Sequence, residues 1–334
     1  MKKKTLIYGG GAIGSYLAAC LLKSNHQVFF LTRRKNYDYI KNKSLIVQVY
    51  NNNHLEKKFC LKNNKDFIVI NSLKKIKENH FDNIFITTKI NENLSKIFLD
   101  IDKFVNKKTI IITPCTSIPF WWHKCLKKEL QNKIDKSLNI LFKKNIAKKN
   151  LVGMTMWLSG KIEKPGKIRI SHIQRGFPIK EVFNEKKQQV NQLRKDLKKT
   201  TRSPLVKNIF SEIFIKALNS LAFNMVALKY GQNNSELEKN AIAKKEIINI
   251  LIEGDKILKK NSIKIYQSPK SRMIQTLKSK KHTMSMLYAY ENKKKIELKF
   301  LWNSFLNLKK FIEFDMSHTD GLYKHLSKKL HGFI

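Results

Sequence analysis

Short apolar runs alternate with amphipathic stretches over the first part of the chain, and beyond residue 205 the apolar positions recur at helical spacing. Thr5–Tyr8 is a short apolar run that ends in Gly9-Gly10-Gly11-Ala12-Ile13-Gly14. A helical pattern over Ser15–Lys23 follows, with Leu17, Cys20 and Leu21 on one face, and then β-prone Gln27–Thr32. Asp82–Thr88 and Thr109–Thr113 read as buried strands. Leu151–Leu158 and Lys167–Ser171 read as two more, around the turn Glu163-Lys164-Pro165-Gly166. Glu185–Lys199 reads as a polar helix and Thr200–Pro204 as a hinge. Helical spacing then runs almost to the end, including Phe210–Lys229 and Ile296–Phe311, with breaks near Gly231–Asn234, Ser268–Pro269 and Ser317–Gly321. The expected class is α/β: an N-terminal Rossmann-type, doubly wound parallel sheet over residues 1–200, followed by an all-α domain over residues 205–334.

The glycines are the strongest local signal. Gly9-x-Gly11-x-x-Gly14 lies between a strand and a helix within a βαβ unit, the setting of a dinucleotide-binding turn. Gly9 permits the tight turn, Gly11 lets backbone approach a pyrophosphate, and Gly14 allows close helix–strand packing. The N–H groups of Ala12, Ile13 and Gly14 then face the phosphates. The second strand ends Thr32-Arg33-Arg34-Lys35, and the first acidic residue of the chain is Asp38. Cations without a carboxylate favour NADP(H), with Arg33 on the 2′-phosphate. Lys89 and Cys115–Pro119 follow strand ends, where an open parallel sheet places its ligand. Lys89 by itself reads equally as a solvated lysine.

Lys216, Ser220 and Asn224 fall on one stripe of the helix Phe210–Lys229. That stripe is either a polar seam facing a site or a half-exposed face. His123, His172, His282 and His318 have no carboxylate at recognisable spacing, so they read as surface or core residues; Trp121 and Trp122 read as core. The four cysteines, Cys20, Cys60, Cys115 and Cys125, form no metal-ligand or CxxC spacing, and no metal site is expected.

The 334 residues carry 67 Lys+Arg against 25 Asp+Glu, a net charge of +42. Such an excess points to nucleic acid or an anionic surface. Only seven of the cations are Arg, however, and Arg is what bidentate phosphate and base contacts favour. A lysine-rich solvated surface is the simpler reading, and no specific nucleic-acid partner is expected. The longest apolar run, Leu6 to Leu22, is interrupted by glycines, so neither a membrane span nor a signal peptide is expected and the protein reads as cytoplasmic. The chain alone leaves monomer and homodimer open.

Taken in order, Gly9–Gly14, Arg33, Lys89, Ile118-Pro119-Phe120-Trp121-Trp122, Val152-Gly153, Pro165–Arg169, Arg175–Pro178, Lys216…Asn224 and Ser285…Glu297 resemble the ketopantoate reductase family over essentially the whole chain. The resemblance implies NADPH-dependent reduction of 2-dehydropantoate to (R)-pantoate, a step of pantothenate and coenzyme A synthesis. It further implies Lys216 as catalytic acid and Glu297 as the residue orienting substrate. Ser220, Asn224 and Ser285 match substrate-contacting positions, and Lys89 matches the lysine near the nicotinamide. A cationic acid suits the reaction, because hydride addition to a 2-oxo acid builds negative charge on the carbonyl oxygen. Three positions depart from the family pattern. Ser220 stands where an asparagine is usual, with Asn219 one place early. Thr116-Ser117 replaces Asn-Gly, and Lys299 replaces an acidic residue. These departures keep open a reductase of another 2-oxo acid, or a cofactor-binding paralogue with little catalysis.

Overall fold

The computed structural model describes residues 2–51, 54–88, 94–114, 116–119, 121, 145–261, 263–279, 282–309 and 312–334. Lys89, Cys115, Trp122, His123 and Cys125, singled out in the sequence, lie outside the described residues. The chain divides into two compact units: Met1–Cys115 with Asp135–Ile209, and Thr116–Ile134 with Phe210–Ile334.

In the first unit, β1 (Lys4–Tyr8), α1 (Ala12–Lys23), β2 (Gln27–Leu31) and α2 (Arg34–Asn42) are followed by β3 (Leu45–Asn51), β4 (His54–Leu61), β5 (Phe67–Ile70), β6 (Asn83–Ile86), α3 (Leu94–Ile101) and β7 (Ile110–Ile112). Then come β8 (Leu151–Met154), β9 (Trp157–Lys164), β10 (Lys167–Gly176), β11 (Ile179–Glu181) and α4 (Lys187–Lys198). One sheet has the order β11-β8-β7-β6-β1-β2-β5. Its pairs are parallel except β11, which runs antiparallel to β8. Its central strands are apolar on both faces, as a buried parallel sheet requires. Leu6, Ile7, Val28, Phe30, Ile84 and Phe85 are fully buried, each contributing about 1.5–3 kcal/mol.

A second sheet, β4-β3-β10-β9, was not expected from the sequence. The expected strand Leu151–Leu158 is in fact two strands in different sheets, β8 in the first and β9 in the second. α1 packs against strands of both sheets and is buried from Gly14 to Leu21, which explains why it is apolar almost all round. At the amino ends of β1, β2 and β6 sits a buried polar cluster. The His26 ring bonds Thr5 Oγ1 (3.0 Å) and Asp196 Oδ2 (3.1 Å), and Asn83 donates to Thr5 (3.0 Å). Burial lowers the His26 pKa, and Asp196 only partly offsets it.

The second unit contains α5 (Ile209–Tyr230), α6 (Asn234–Lys239), α7 (Ala241–Lys260), α8 (Pro269–Leu277), α9 (Ser285–Glu291), α10 (Leu298–Lys309) and α11 (Ser317–Lys329). Contrary to the expected break at Ser317–Gly321, α11 begins at Ser317 and runs through Gly321, where an exposed glycine costs a helix only about 1 kcal/mol. α5 was expected as a helix, but its apolar stretch exceeds Leu6 to Leu22, the run expected to be the longest. It is long and apolar enough to cross a membrane, but 78% of its apolar window is buried within the protein, as in a core helix.

Candidate active site

The order of the first sheet reverses at β1: the chain passes from β1 to β2 on one side and later returns to β6 on the other. Crevices at the carboxyl ends of such strands hold ligands, and the glycine loop lies there. Gly9 has φ +129°, a conformation only glycine adopts easily. A Cβ on Gly14 would stand 2.1 Å from Gly9 O and 2.6 Å from Thr87 Oγ1, so only glycine lets α1 approach the loop this closely. A Cβ on Gly11 would meet nothing within 4 Å, so the loop is open on that side. The first intrahelical bond of α1 is Ser15 N–H to Gly11 O at 2.9 Å, which leaves the N–H groups of Ala12, Ile13 and Gly14 ahead of the ladder.

Two side chains missed in the sequence bind this loop from outside it. Thr87 Oγ1 donates to Gly9 O (2.7 Å). Asn36 Nδ2 donates to Gly10 O (3.0 Å) and Thr32 Oγ1 (3.1 Å), while its Oδ1 accepts from Gly166 N in the β9–β10 turn (3.0 Å). Arg33, just past β2, is exposed. Tyr8 Oη donates to Asp100 (3.1 Å). Burial and Asp100 raise the Tyr8 pKa while the Arg33 guanidinium pulls it down, which sets the cation beside Tyr8 at the end of β1. An open loop with its carbonyls engaged behind it, a helix N-terminus and a nearby arginine fit the pyrophosphate and 2′-phosphate of a dinucleotide.

In the second unit α5 carries Lys216, Ser220 and Asn224. Lys216 is half-buried, and desolvation lowers its pKa from 10.5 to about 8. Asn224, 3% exposed, donates to Ser220 O (2.7 Å) and Ser220 Oγ (3.3 Å). Its Oδ1 accepts from Met286 N (2.9 Å) and Ser285 Oγ (3.4 Å). Asn224 thus ties the first turn of α9 to α5 and holds Ser285. Glu297 is half-buried at the head of α10, where its carbonyl accepts Leu301 N–H (2.9 Å), and Lys299 is exposed.

Asn219 does not take the place of the missing asparagine at 220. It is buried, and its Oδ1 accepts from Arg272 (3.4 Å); Arg272 in turn makes a two-oxygen contact to Asp255 at 2.5 Å. Burial raises the Asp255 pKa and lowers that of Arg272, each working against the charge its partner favours. Trp121 is 1% exposed and stacks edge-on against Phe210 at 5.6 Å, a packing role. Among the described residues no group of three His, Cys, Asp or Glu could hold a metal ion.

The model for ketopantoate reductase PanE/ApbA matches residues 5–114, and that for ketopantoate reductase PanE/ApbA C terminal matches residues 208–330, together most of the chain. No curated protein sequence matches. Among solved structures, a 2-dehydropantoate 2-reductase from Geobacter metallireducens GS-15 superposes with TM-score 0.78 at 16% identity, over 98% of this chain and 99% of its own. D-mandelate dehydrogenase with NADH and anilino(oxo)acetate gives TM-score 0.74 at 20% identity, over 98% of this chain and 97% of its own. A 2-dehydropantoate 2-reductase from Methylococcus capsulatus gives 0.71 at 16%, over 98% and 96%. At these identities the likeness to solved structures is one of fold. The two family models carry the assignment: the chain belongs to the ketopantoate reductase family of NADP-dependent oxidoreductases.

Proposed function

We propose that this protein reduces 2-dehydropantoate to (R)-pantoate with NADPH, and that Lys216 is the proton donor. The observation that carries the reading is the half-buried Lys216, on a helix stripe shared with Ser220 and Asn224, whose pKa burial lowers to about 8 while leaving it an acid at pH 7. When bound, NADPH supplies the hydride that adds to the carbonyl carbon. Lys216 Nζ gives the proton to the carbonyl oxygen, so the C=O becomes CH–OH and the lysine is left neutral, to be reprotonated from solvent. Before that transfer the ammonium stabilises the charge growing on the oxygen. Glu297 and Ser285 orient the substrate's polar groups. Asn224 does so through Ser285, because its own carbonyl oxygen is shared between Ser285 and Met286. The Gly9–Gly14 loop binds the pyrophosphate and Arg33 the 2′-phosphate, and the family resemblance assigns Lys89 to the nicotinamide.

A second reading, reduction of another 2-oxo acid, is favoured by Thr116, Ser220 and Lys299. Each changes a polar group relative to the family pattern, and one mismatched buried contact shifts binding by about 1–3 kcal/mol. NADPH oxidation by the wild type and Lys216→Ala, across ketopantoate and a panel of 2-oxo acids, decides between them. Turnover of ketopantoate above the others, lost in the variant, supports the first reading. Turnover of a different acid, also dependent on Lys216, supports the second. NADPH binding without turnover of any acid sinks both.

A further inference from the structure

We infer that Thr87 and Asn36 are positioning residues that set the polarity of the dinucleotide loop. The inference rests on the cofactor reading above. In a trans peptide the C=O and the following N–H point in opposite directions. Thr87 holds the Gly9 carbonyl at 2.7 Å, so the Gly10 N–H is turned away from Thr87. Asn36 holds the Gly10 carbonyl at 3.0 Å, so the Gly11 N–H is turned away from α2. The Gly11 carbonyl is taken by Ser15 N–H at 2.9 Å, which directs the Ala12 N–H outward from the end of α1. Three successive carbonyls are thereby drawn back, leaving a run of N–H groups to meet an anion. Without these restraints the glycine peptides are free to rotate and offer a carbonyl oxygen to the pyrophosphate.

The Asn36 amide orientation follows from its partners. Its two N–H bonds go to acceptors, Gly10 O and Thr32 Oγ1, while its oxygen receives Gly166 N–H. Turning the amide over would set oxygen against the Gly10 carbonyl and N–H against N–H. Asn36 therefore also fixes the loop to the β9–β10 turn of the second sheet.

The test is calorimetric binding of two probes to the full chain: 2′-phospho-ADP-ribose, which contains the pyrophosphate, and adenosine 2′-phosphate, which lacks it. Thr87→Val keeps the side-chain shape and removes the donor; Asn36→Ala removes the other. Each variant is expected to weaken 2′-phospho-ADP-ribose by roughly ten- to hundred-fold, as for a lost hydrogen bond to a charged group, and to leave adenosine 2′-phosphate unchanged. Thr87→Ser, which keeps the hydroxyl, is expected to restore binding. Equal weakening of both probes would mean a merely structural role and overturns the inference, as does unchanged binding of 2′-phospho-ADP-ribose. If folded wild-type protein binds neither probe, the cofactor reading itself fails and the inference falls with it.

Discussion

Replacing Lys216 by Met is expected to abolish hydride transfer and, at the same time, to stabilise the fold. Burial lowers the lysine pKa from 10.5 to about 8. At 1.36 kcal/mol per pH unit that is about 3 kcal/mol of disfavoured charge, an upper figure because the side chain is only half-buried. The folded pKa lies below the unfolded one, so the folded state binds fewer protons between the two values. The penalty is complete below about pH 8 and fades as pH rises toward 10.5, so wild-type stability rises across that window. Urea unfolding at pH 7 is therefore expected to show the Met variant more stable by about 1–3 kcal/mol, with the gain gone above pH 10.5. The catalytic arm has the opposite slope. With Lys216 as the proposed proton donor, reduction uses the ammonium, so kcat/KM is expected to be flat below pH 7 and to fall about ten-fold per unit above pH 8. Oxidation of the hydroxy acid needs the neutral amine and rises through the same range. Single-turnover measurements with NADPH deuterated at the transferred position keep the readout on the chemical step. A reductive profile with no inflection below pH 10, or a Met variant less stable than wild type at pH 7, refutes the reasoning.

Three further outcomes are expected. Gly14→Ala places a methyl 2.1 Å from Gly9 O, so NADPH binding followed by fluorescence is lost even where the fold survives. Arg272→Met leaves Asp255 buried without its partner, costing about 3–5 kcal/mol in urea unfolding, while neutralising an exposed carboxylate such as Glu291 costs far less. Glu253 accepts His318 N (2.9 Å), Thr319 N (3.0 Å) and Thr319 Oγ1 (2.5 Å) at the start of α11. Glu253→Ala is expected to cost about 0.5–2 kcal/mol, with hydrogen exchange rising first in the opening turn of that helix.

The elements legible in the sequence were those whose signal is local. β1, β2, β6 and β7 are buried on both faces and read as plain apolar runs, and α5 shows its helical spacing over 22 residues. The second sheet escaped because β3 is buried on one face only and β4 hardly at all. β3 alternates buried and half-buried positions from Leu45 to Tyr50, a pattern that could have been read. β4 could not: it is exposed from His54 to Lys58 and rich in charge, the composition that protects an edge strand from further pairing. With β3 and β4 unseen, nothing suggested that Leu151–Leu158 would divide between two sheets.

The same distinction runs through the site. The glycine spacing is a local demand of backbone geometry, so Gly9, Gly11 and Gly14 stand out from the chain alone. The groups that hold the loop's carbonyls are 78 residues away at Thr87 and 26 at Asn36. Neither carries a charge or a motif, so only tertiary structure relates them to the glycines. Spacing on α5 was misleading in a more instructive way. Asn219 lies one residue from Ser220, but one residue is about 100° around a helix. That rotation takes Asn219 to Arg272 and Asp255 in the interior of the helical unit, while Ser220 stays in line with Lys216 and Asn224. Asn219 therefore cannot supply the amide that Ser220 lacks without breaking the contact to Arg272. The stripe therefore carries a hydroxyl at Ser220 in place of that amide, and under the proposed function it is there, with Lys299, that selection among 2-oxo acids is expected.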